Sequence, residues 1–459
     1  MKKVSVKTMV DTNKDQSKEA LMGNASVSTA VRMMAVPSVI SSLVTVFYNM
    51  ADTFFVGQTG DALEVAAVSL TNPCFVLLMA VANMLGMGAA ALASVALGAG
   101  EGATAKKITS FSFWASLLFG MVFCLVFLLF SQPLLLFLGA NAGTLEKAAG
   151  YLRWIAPGAF FCIWSVTASF VVRSMGFSTE AMVGNMIGTV LNIILDPVFI
   201  SGLHQGAAGA AVATSLSNGA ASLYYIWFFL KKCPAASLSL HDFTLAPSIS
   251  LRVMNTGLPT GMFSALMSLA TILMNQIMTE WGNAAVAAMG IVFKANMFVS
   301  FIQMGIANGV QPLLGYAYGA GNRKRFLSIE RFTIKILLAV GIAATALYLG
   351  FARQIITVFI EDSHVITLGV PMLIAYTVSG PFIGLFFLAM DCLQSTAHPM
   401  PATLLSVLRN GLLLIPLMFL LKALFGFYGV ISAQAVTDYL SIALSLFLWH
   451  LAKQHLSRR

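Results

Sequence analysis

Charged side chains are scarce in this sequence. Asp, Glu, Lys and Arg make up 9% of its 459 residues, whereas hydrophobic residues make up 58%. Soluble domains carry charge on about a quarter of their residues, so a water-soluble globular fold is excluded. The mean hydropathy of +0.86 agrees, and no polar stretch longer than the first 28 residues offers material for a soluble domain. The composition predicts that nearly the whole chain lies in a lipid bilayer, its first expected partner.

Cysteine is sparse as well, and the motifs of common catalytic sites are missing. The five cysteines are odd in number, widely separated and mostly within apolar runs, which argues against a disulfide framework or a bound metal. The sequence contains no HExxH string, so an enzyme is not expected, nor a catalytic residue or cofactor. The net charge of +9 is explained by Lys and Arg residues that gather on one side of the membrane. Nucleic acid is therefore not an expected partner.

Twelve apolar segments reach the length of about 20 residues that a helix needs to cross the hydrocarbon region. Long continuous runs of this kind indicate helices, because barrel strands would appear as short alternating segments. The predicted helices start near residues 29, 64, 108, 145, 179 and 206, and then near 250, 284, 328, 366, 400 and 427.

Alternate assignment of the loops places most of the 26 Lys and Arg residues on one side of the membrane. The positive-inside rule then puts both chain termini in the cytosol, which for a bacterial protein means the cytoplasmic (inner) membrane. The predicted division is a cytosolic tail (1–28), a first lobe (29–230), a cytosolic linker (231–249), a second lobe (250–452) and a short cytosolic tail (453–459).

The sequence repeats itself. One shift aligns VAAVSL from Val65 with VAAMGI from Val286, Gly88 with Gly309, and Gly98 with Gly319. Each half holds an even number of helices, so both halves insert in the same orientation. The predicted fold class is therefore an all-α membrane protein, with twelve helices in two six-helix lobes that are related by a pseudo-two-fold axis along the membrane normal.

Ionisable residues inside the spans mark where function is expected, because each one costs at least roughly 2.5–3.5 kcal/mol at bilayer depth. Asn192 precedes Asp196 by four residues, which places both on one helical face. A structural alternative stays open for each acid, as a group that reaches the headgroups or caps a bent helix. For Lys294 the alternative is an ion pair with Asp391 or Asp438. The full set is Asp52, Asp196, Lys294, Asp391, Arg409 and Asp438.

Three strings resemble the multidrug and toxic compound extrusion (MATE) family of antiporters, and the resemblance covers nearly the whole chain. They are YNMADTFFVG from Tyr48, LNIILDPVFI from Leu191 followed by GAAGAAVAT from Gly206, and KANMFVSFIQMGIANGVQPLLGYAYGAGNRKR from Lys294. The last string looks like the bacterial MepA-like and DinF-like branches. The resemblance implies a MATE-like fold.

The resemblance also implies a set of functional residues. A cation or proton site in the first lobe would consist of Asp52, Asn192, Asp196 and Thr214, with Na⁺ as a ligand it could hold and no other metal. Pro37 matches the proline on which the first helix bends. Met267 stands where some relatives carry a glutamate, which argues against a sodium site of that style in the second lobe. Lys294 and Asp391 are candidate contacts of the second lobe with substrate or ion.

The predicted function is export of organic, mostly cationic amphiphilic compounds in exchange for inward H⁺ or Na⁺, by alternating access of the two lobes. Such a protein is a secondary active transporter, expected here to act as a monomer. The alternative is a flippase for a lipid-linked precursor. A flippase requires a strongly cationic cleft for pyrophosphate, and the spans provide only Lys294 and Arg409 as cations.

Overall fold

The computed structural model of the protein describes residues 20–57, 62–141, 143–203, 205–396 and 398–456, without the side chains of residues 52–54, 56–57, 62–66 and 455–456. Every regular element in this part of the chain is helical. The membrane-crossing helices are α1 (Val27–Gly57), α2 (Ala62–Gly98), α3 (Gly102–Leu129), α4 (Leu145–Ile155 and Ala159–Ser174), α5 (Ser178–Pro197), α6 (Gly206–Lys232), α7 (Ser250–Met278), α8 (Asn283–Gly319), α9 (Arg323–Phe359), α10 (Ser363–Thr377 and Gly380–Ser395), α11 (from Pro399) and α12 (ending at Leu456).

Eleven of the twelve crossings in the described residues follow from length and composition, and the twelfth, α6, follows from its length. Eight helical stretches are long and apolar enough to cross a bilayer, and the bent pairs in α4 (52°) and α10 (46°) bring the number to ten. One of the eight, Pro399–Gln454, has 56 residues, about twice the length that a single crossing needs. Gly426, with φ 57°, interrupts it, so α11 and α12 are separate crossings. Helix α6, with 27 residues, is the twelfth.

Close packing between repeat-related glycines joins the two lobes. A Cβ on Gly98 would lie 2.1 Å from the carbonyl oxygen of Tyr316, and a Cβ on Gly319 would lie 2.0 Å from that of Val95. The shift that takes Gly98 to Gly319 also takes Val95 to Tyr316. The contact of α2 with α8 is therefore the same contact seen from both sides, as a two-fold axis between these helices requires.

The lobes are closed at one end of the bundle, the end where α1 begins and α12 finishes, which we call the terminal end. Every described glycine that packs across the lobe boundary lies in the half of its helix nearest this end. In α2, a Cβ on Gly88 would lie 2.0 Å from the carbonyl oxygen of Val253 in α7; in α8, a Cβ on Gly309 would lie 2.8 Å from Ala35 Cα in α1. Further from the terminal end, Phe47 of α1 meets Phe298 of α8 edge to face, at 5.6 Å between ring centroids.

The linker between the lobes lies against the terminal end of α3. Ser110 Oγ donates to the carbonyl oxygen of Ser239 at 2.7 Å, and Trp114 Nε1 donates to that of Leu238 at 3.2 Å. Residues 20–25, which precede α1, pack on the second lobe.

Candidate functional site

An amide and a carboxylate lie buried one helical turn apart near the end of α5. Asn192 is 2% exposed and Asp196 is 0% exposed. With the Asn192 amide oriented so that both its ends are satisfied, Nδ2 donates to Asp196 Oδ2 at 2.9 Å and Oδ1 accepts from the backbone N–H of Thr214 at 3.2 Å. The hydroxyl of Thr214, on α6, lies 3.4 Å from the same amide. The structure thus brings three of the four predicted first-lobe site residues together.

The local sequence explains why α6 comes so close to α5. Pro197 lacks the N–H needed to continue the α-helix, and α5 passes into a π-helical turn, Val198–Gly202. Gly206, with φ 54°, lets the chain reverse into α6. A Cβ on Gly209 would lie 2.7 Å from the carbonyl group of Phe199, so glycine is needed there for α6 to reach the turn.

The fourth predicted site residue, Asp52, lies in α1, and its side chain falls outside the described residues. Its height in the bundle follows from Phe55, three residues further along α1, which packs against Ile200 and Ala210. Ile200 is one turn beyond Asp196, and Ala210 is one turn before Thr214 on the oppositely running α6. The backbone of Asp52 is therefore level with the buried cluster.

This cluster can hold a small cation. Asp196, Thr214 and the amide of Asn192 present carboxylate, hydroxyl and carbonyl oxygens, the ligand types that hard cations prefer. Burial also disfavours an uncompensated negative charge, so a proton or Na⁺ can take the position of counterion. Among the described residues no group of three or more His, Cys, Asp or Glu side chains could hold a metal ion, so a transition-metal site has no support in this part of the chain.

Pro37 is buried in α1 and deprives the carbonyl oxygen of Met33 of its helical hydrogen bond. The next carbonyl oxygen, that of Met34, instead accepts two side-chain hydroxyls. Ser38 Oγ donates to it at 3.0 Å and Ser178 Oγ, from α5, donates at 2.7 Å. The position fits a bend, because prolines and inserted side chains are the usual causes of kinks.

A polar stripe on α5 runs from the level of Pro37 to the buried cluster. Sequence reasoning missed this stripe. Ser178, Asn185 and Asn192 are spaced by seven residues, which keeps them on one face of the helix. Asn185 Nδ2 donates to Ser41 Oγ of α1 at 2.7 Å, and its Oδ1 accepts from Tyr225 Oη of α6 at 3.0 Å. The seven-residue spacing of small polar residues was the signal available in the sequence.

The two candidates in the second lobe do not meet. Lys294 is half-buried on α8, one turn from Phe298, and no carboxylate of the described residues lies within 4.0 Å of its Nζ atom. Asp391 is 1% exposed near the terminal end of α10. Gln303 Nε2 donates to the carbonyl oxygen of Gly380 at 2.9 Å, which sets α8 and α10 in register. Lys294 lies nine residues to one side of this contact and Asp391 eleven residues to the other, so at 1.5 Å per residue roughly 30 Å of helix separates them along the bundle.

The proposed ion pairs of Lys294 are therefore wrong. Asp438 of α12 is bound by Arg409 of α11, with 2.8 Å between Arg409 Nη2 and Asp438 Oδ1. Ser379 Oγ and Gln434 Nε2 donate to the same carboxylate. Asp391 faces the charge of Arg173, which belongs to α4 of the other lobe. Neither of its carboxylate oxygens has a hydrogen-bond partner among the described residues.

Comparison with known proteins agrees with this architecture. The family model described as MatE matches residues 37–198 and again residues 259–420, one match in each lobe. The multidrug export protein MepA of Staphylococcus saprophyticus is 29% identical over 433 residues, which cover 94% of this chain and 96% of that protein. MepA of Staphylococcus aureus is 29% identical over 428 residues, with 93% and 94% covered.

A solved structure shows the same fold. The outward-facing conformation of a multidrug resistance MATE family transporter of the MOP superfamily superposes with a TM-score of 0.90 at 24% sequence identity, over 96% of this chain and 98% of that one. The predicted fold class is thereby confirmed as twelve helices in two lobes.

Proposed function

Because the chain belongs to the MatE family, we propose that this membrane transporter exports organic, mostly cationic amphiphilic compounds in exchange for H⁺ or Na⁺ entering the cell. The observation that carries the proposal is the buried Asn192–Asp196–Thr214 cluster. A carboxylate at this depth is costly to keep without a function, and it lies in a lobe that faces another lobe of the same fold. Similarity to exporters named for multidrug transport supports the substrate class.

The proposed orientation places the terminal end in the cytosol. Exposed cations gather at that end, among them Lys106, Lys107, Arg323 and Lys324, as the positive-inside rule requires of a cytosolic face. The closed end of the lobes then faces the cytosol, so in this arrangement a bound organic cation would be released toward the outside. The bacterial cytoplasmic membrane and a monomeric transporter complete this proposal.

In the proposed cycle, the coupling ion and the drug compete for the states of the first lobe. The ion enters from outside and binds Asp196 and Asp52, which favours drug release. Its exit to the cytosol resets the transporter, and access alternates as the two lobes rock against each other. The driving force is sufficient, since an inward positive charge gains about 2.3 kcal/mol per 100 mV and about 1.4 kcal/mol sustains a tenfold gradient.

The test is uptake of the fluorescent lipophilic cation ethidium by proteoliposomes, first under an imposed proton gradient and then under an imposed Na⁺ gradient at fixed pH. We expect uptake under one of the two gradients, and loss of that uptake in Asp196→Asn. The matched control is Glu101→Gln, because Glu101 is an exposed acid at the terminal end, and it should transport normally. Full uptake by Asp196→Asn would overturn the site, whereas no uptake under either gradient would favour the flippase.

A further inference from the structure

Helix α1 belongs to the first lobe by sequence, yet the half nearest the terminal end is packed into the second lobe. Ala30, Val31, Met34 and Ala35 are buried members of an apolar cluster whose other members are Leu21, Met22 and residues of α7 to α12. The main apolar cluster of the first lobe contains no described residue of α1. Gly309 of α8 permits this contact, because a side chain there would collide with the α1 backbone at Ala35.

The segment before α1 continues the same attachment. Leu21 and Met22 are 7% and 2% exposed and belong to the same cluster of the second lobe. The aromatic ring of Tyr316 lies 3.4 Å from where a Cβ of Gly23 would be. Residues 20–25 therefore cross from the start of α1 to the second lobe.

A single arginine of the second lobe fixes this segment. Arg325, at the start of α9, donates from Nε to the carbonyl oxygen of Met22 at 2.8 Å, from Nη1 to that of Ala25 at 2.8 Å and from Nη2 to that of Leu21 at 3.2 Å. These are carbonyl oxygens at the end of a short helical turn, where arginine is a favourable partner. The planar guanidinium group can serve three acceptors at once, which an ammonium group on a flexible stem cannot match.

The half of α1 beyond Pro37 is attached differently. Ser38 and Ser41 make polar contacts with Ser178 and Asn185 of α5, and Phe55 packs on the first lobe near the other end of α1. This half also keeps contact with α8 of the second lobe through Phe47. Among the described residues, the bond from Ser178 to the carbonyl oxygen of Met34 is the side-chain hydrogen bond that joins the half before Pro37 to the first lobe. Beyond Pro37, α1 therefore contacts both lobes, whereas before Pro37 its apolar contacts are with the second lobe.

We propose that residues 21–36 move with the second lobe during transport and are held there by Arg325. Arg325 is thus a positioning residue that acts through the backbone of residues 21–25. The proposal rests on the proposed function in one respect, because it needs the lobes to move. Apolar burial and three charge-assisted bonds on one side outweigh a hydroxyl bond on the other, which decides which lobe the segment follows.

Distance measurements between spin labels test this directly in the full-length protein. Asn24, Lys324 and Lys107 are exposed. Spin labels at these positions report on residues 20–25, on the second lobe and on the first lobe, respectively. These residues are replaced by cysteine two at a time, in a protein whose five native cysteines have been changed to serine or alanine. Distances are recorded in lipid at acidic and alkaline pH, with and without tetraphenylphosphonium. We expect the 24–324 distance to stay constant while the 24–107 and 107–324 distances change together.

The outcomes separate the two proposals. A constant 24–107 distance with a changing 24–324 distance would show that the segment follows the first lobe, which would overturn this inference and leave the proposed function intact. A 107–324 distance that is the same under all conditions would show that the lobes do not move. That result would count against both this inference and the proposed function.

Variants of Arg325 test its role in positioning. Arg325→Ala should broaden the 24–324 distance distribution and lower ethidium transport severalfold, and Arg325→Lys should recover part of both losses. The control is Arg323→Ala, since Arg323 is an exposed arginine two residues earlier. An unchanged 24–324 distance distribution in Arg325→Ala would contradict the positioning role of Arg325, even if transport decreased because the protein folded poorly.

Discussion

At the scale of single residues, substitutions of Thr214 can separate the role of its hydroxyl as a ligand from the role of its side-chain shape in packing. Thr214→Val keeps the shape of the side chain and removes the hydroxyl near Asn192, whereas Thr214→Ser keeps the hydroxyl. Hydrogen bonds to charged groups contribute about 1.5–3 kcal/mol. We therefore expect Thr214→Val to raise the coupling-ion concentration for half-maximal transport about tenfold or more. Thr214→Ser should stay near the wild-type value, and equal behaviour of the two variants would exclude the hydroxyl as a ligand.

Disruption of the Arg409–Asp438 ion pair is expected to lower the stability of the protein and to leave the coupling of transport intact. Both side chains are buried, and the guanidinium group of Arg409 also lies over the rings of Phe386 and Phe263. Removal of one partner of a buried pair costs about 3–5 kcal/mol, because the other charge is left unpaired. Asp438→Asn should thus lower the melting temperature in detergent and keep the transport rate per folded molecule. Normal melting with failed transport would instead assign Asp438 to the mechanism.

The same scale shows where sequence reasoning stopped. Asn192, Asp196 and Thr214 were found because a family resemblance carried their spacing, and the structure brings them together. Arg173, which alternate assignment of the loops places with the cations of the terminal end, is in fact buried with its charge facing Asp391 of the other lobe. Hydropathy measures how long a segment is relative to the membrane, and it carries no information about which neighbour a side chain faces. For the same reason the distance between Lys294 and Asp391 could not be predicted.

At the scale of helices, the hinge that the family resemblance implies in α1 can be tested at Pro37. Pro37→Ala restores an N–H to the helix interior, where proline costs about 3 kcal/mol, so α1 should become straighter and the protein more resistant to thermal unfolding. Ethidium transport should fall because the bend is needed. Pro371→Ala is the matched control, since Pro371 lies within the first helix of α10, and it should transport normally. Full transport by Pro37→Ala would refute the hinge.

The helices themselves were largely predictable from sequence. Predicted starts at 29, 145, 206 and 250 lie within two residues of the starts of α1, α4, α6 and α7. Glycine and charged residues beside the apolar runs give sharp signals for these boundaries. The bends inside α4 and α10 had no comparable signal, because a 52° or 46° change of direction leaves the hydropathy of the whole segment unchanged.

At the scale of the whole molecule, closure of the terminal end depends on contacts that leave no room for a methyl group. A Cβ on Gly88 would lie 2.0 Å from the carbonyl oxygen of Val253, across the lobe boundary. Backbone at this distance cannot yield as a flexible side chain can. The lobes must therefore separate at this end in Gly88→Ala, and the balance of states shifts away from the closed arrangement.

We expect the distance between spin labels at Lys107 and Lys324 to lengthen in Gly88→Ala and ethidium transport to fall, because the closed state is visited less often. Gly102→Ala is the control at the same end, since a Cβ there has nothing within 4 Å. If Gly88→Ala left the 107–324 distance unchanged, the α2–α7 contact could not be a determinant of closure. Gly309, the repeat mate of Gly88, packs on the half of α1 that is proposed to move with the second lobe, so Gly309→Ala should leave the 107–324 distance unchanged. Equal lengthening by both substitutions would mean that this half of α1 follows the first lobe.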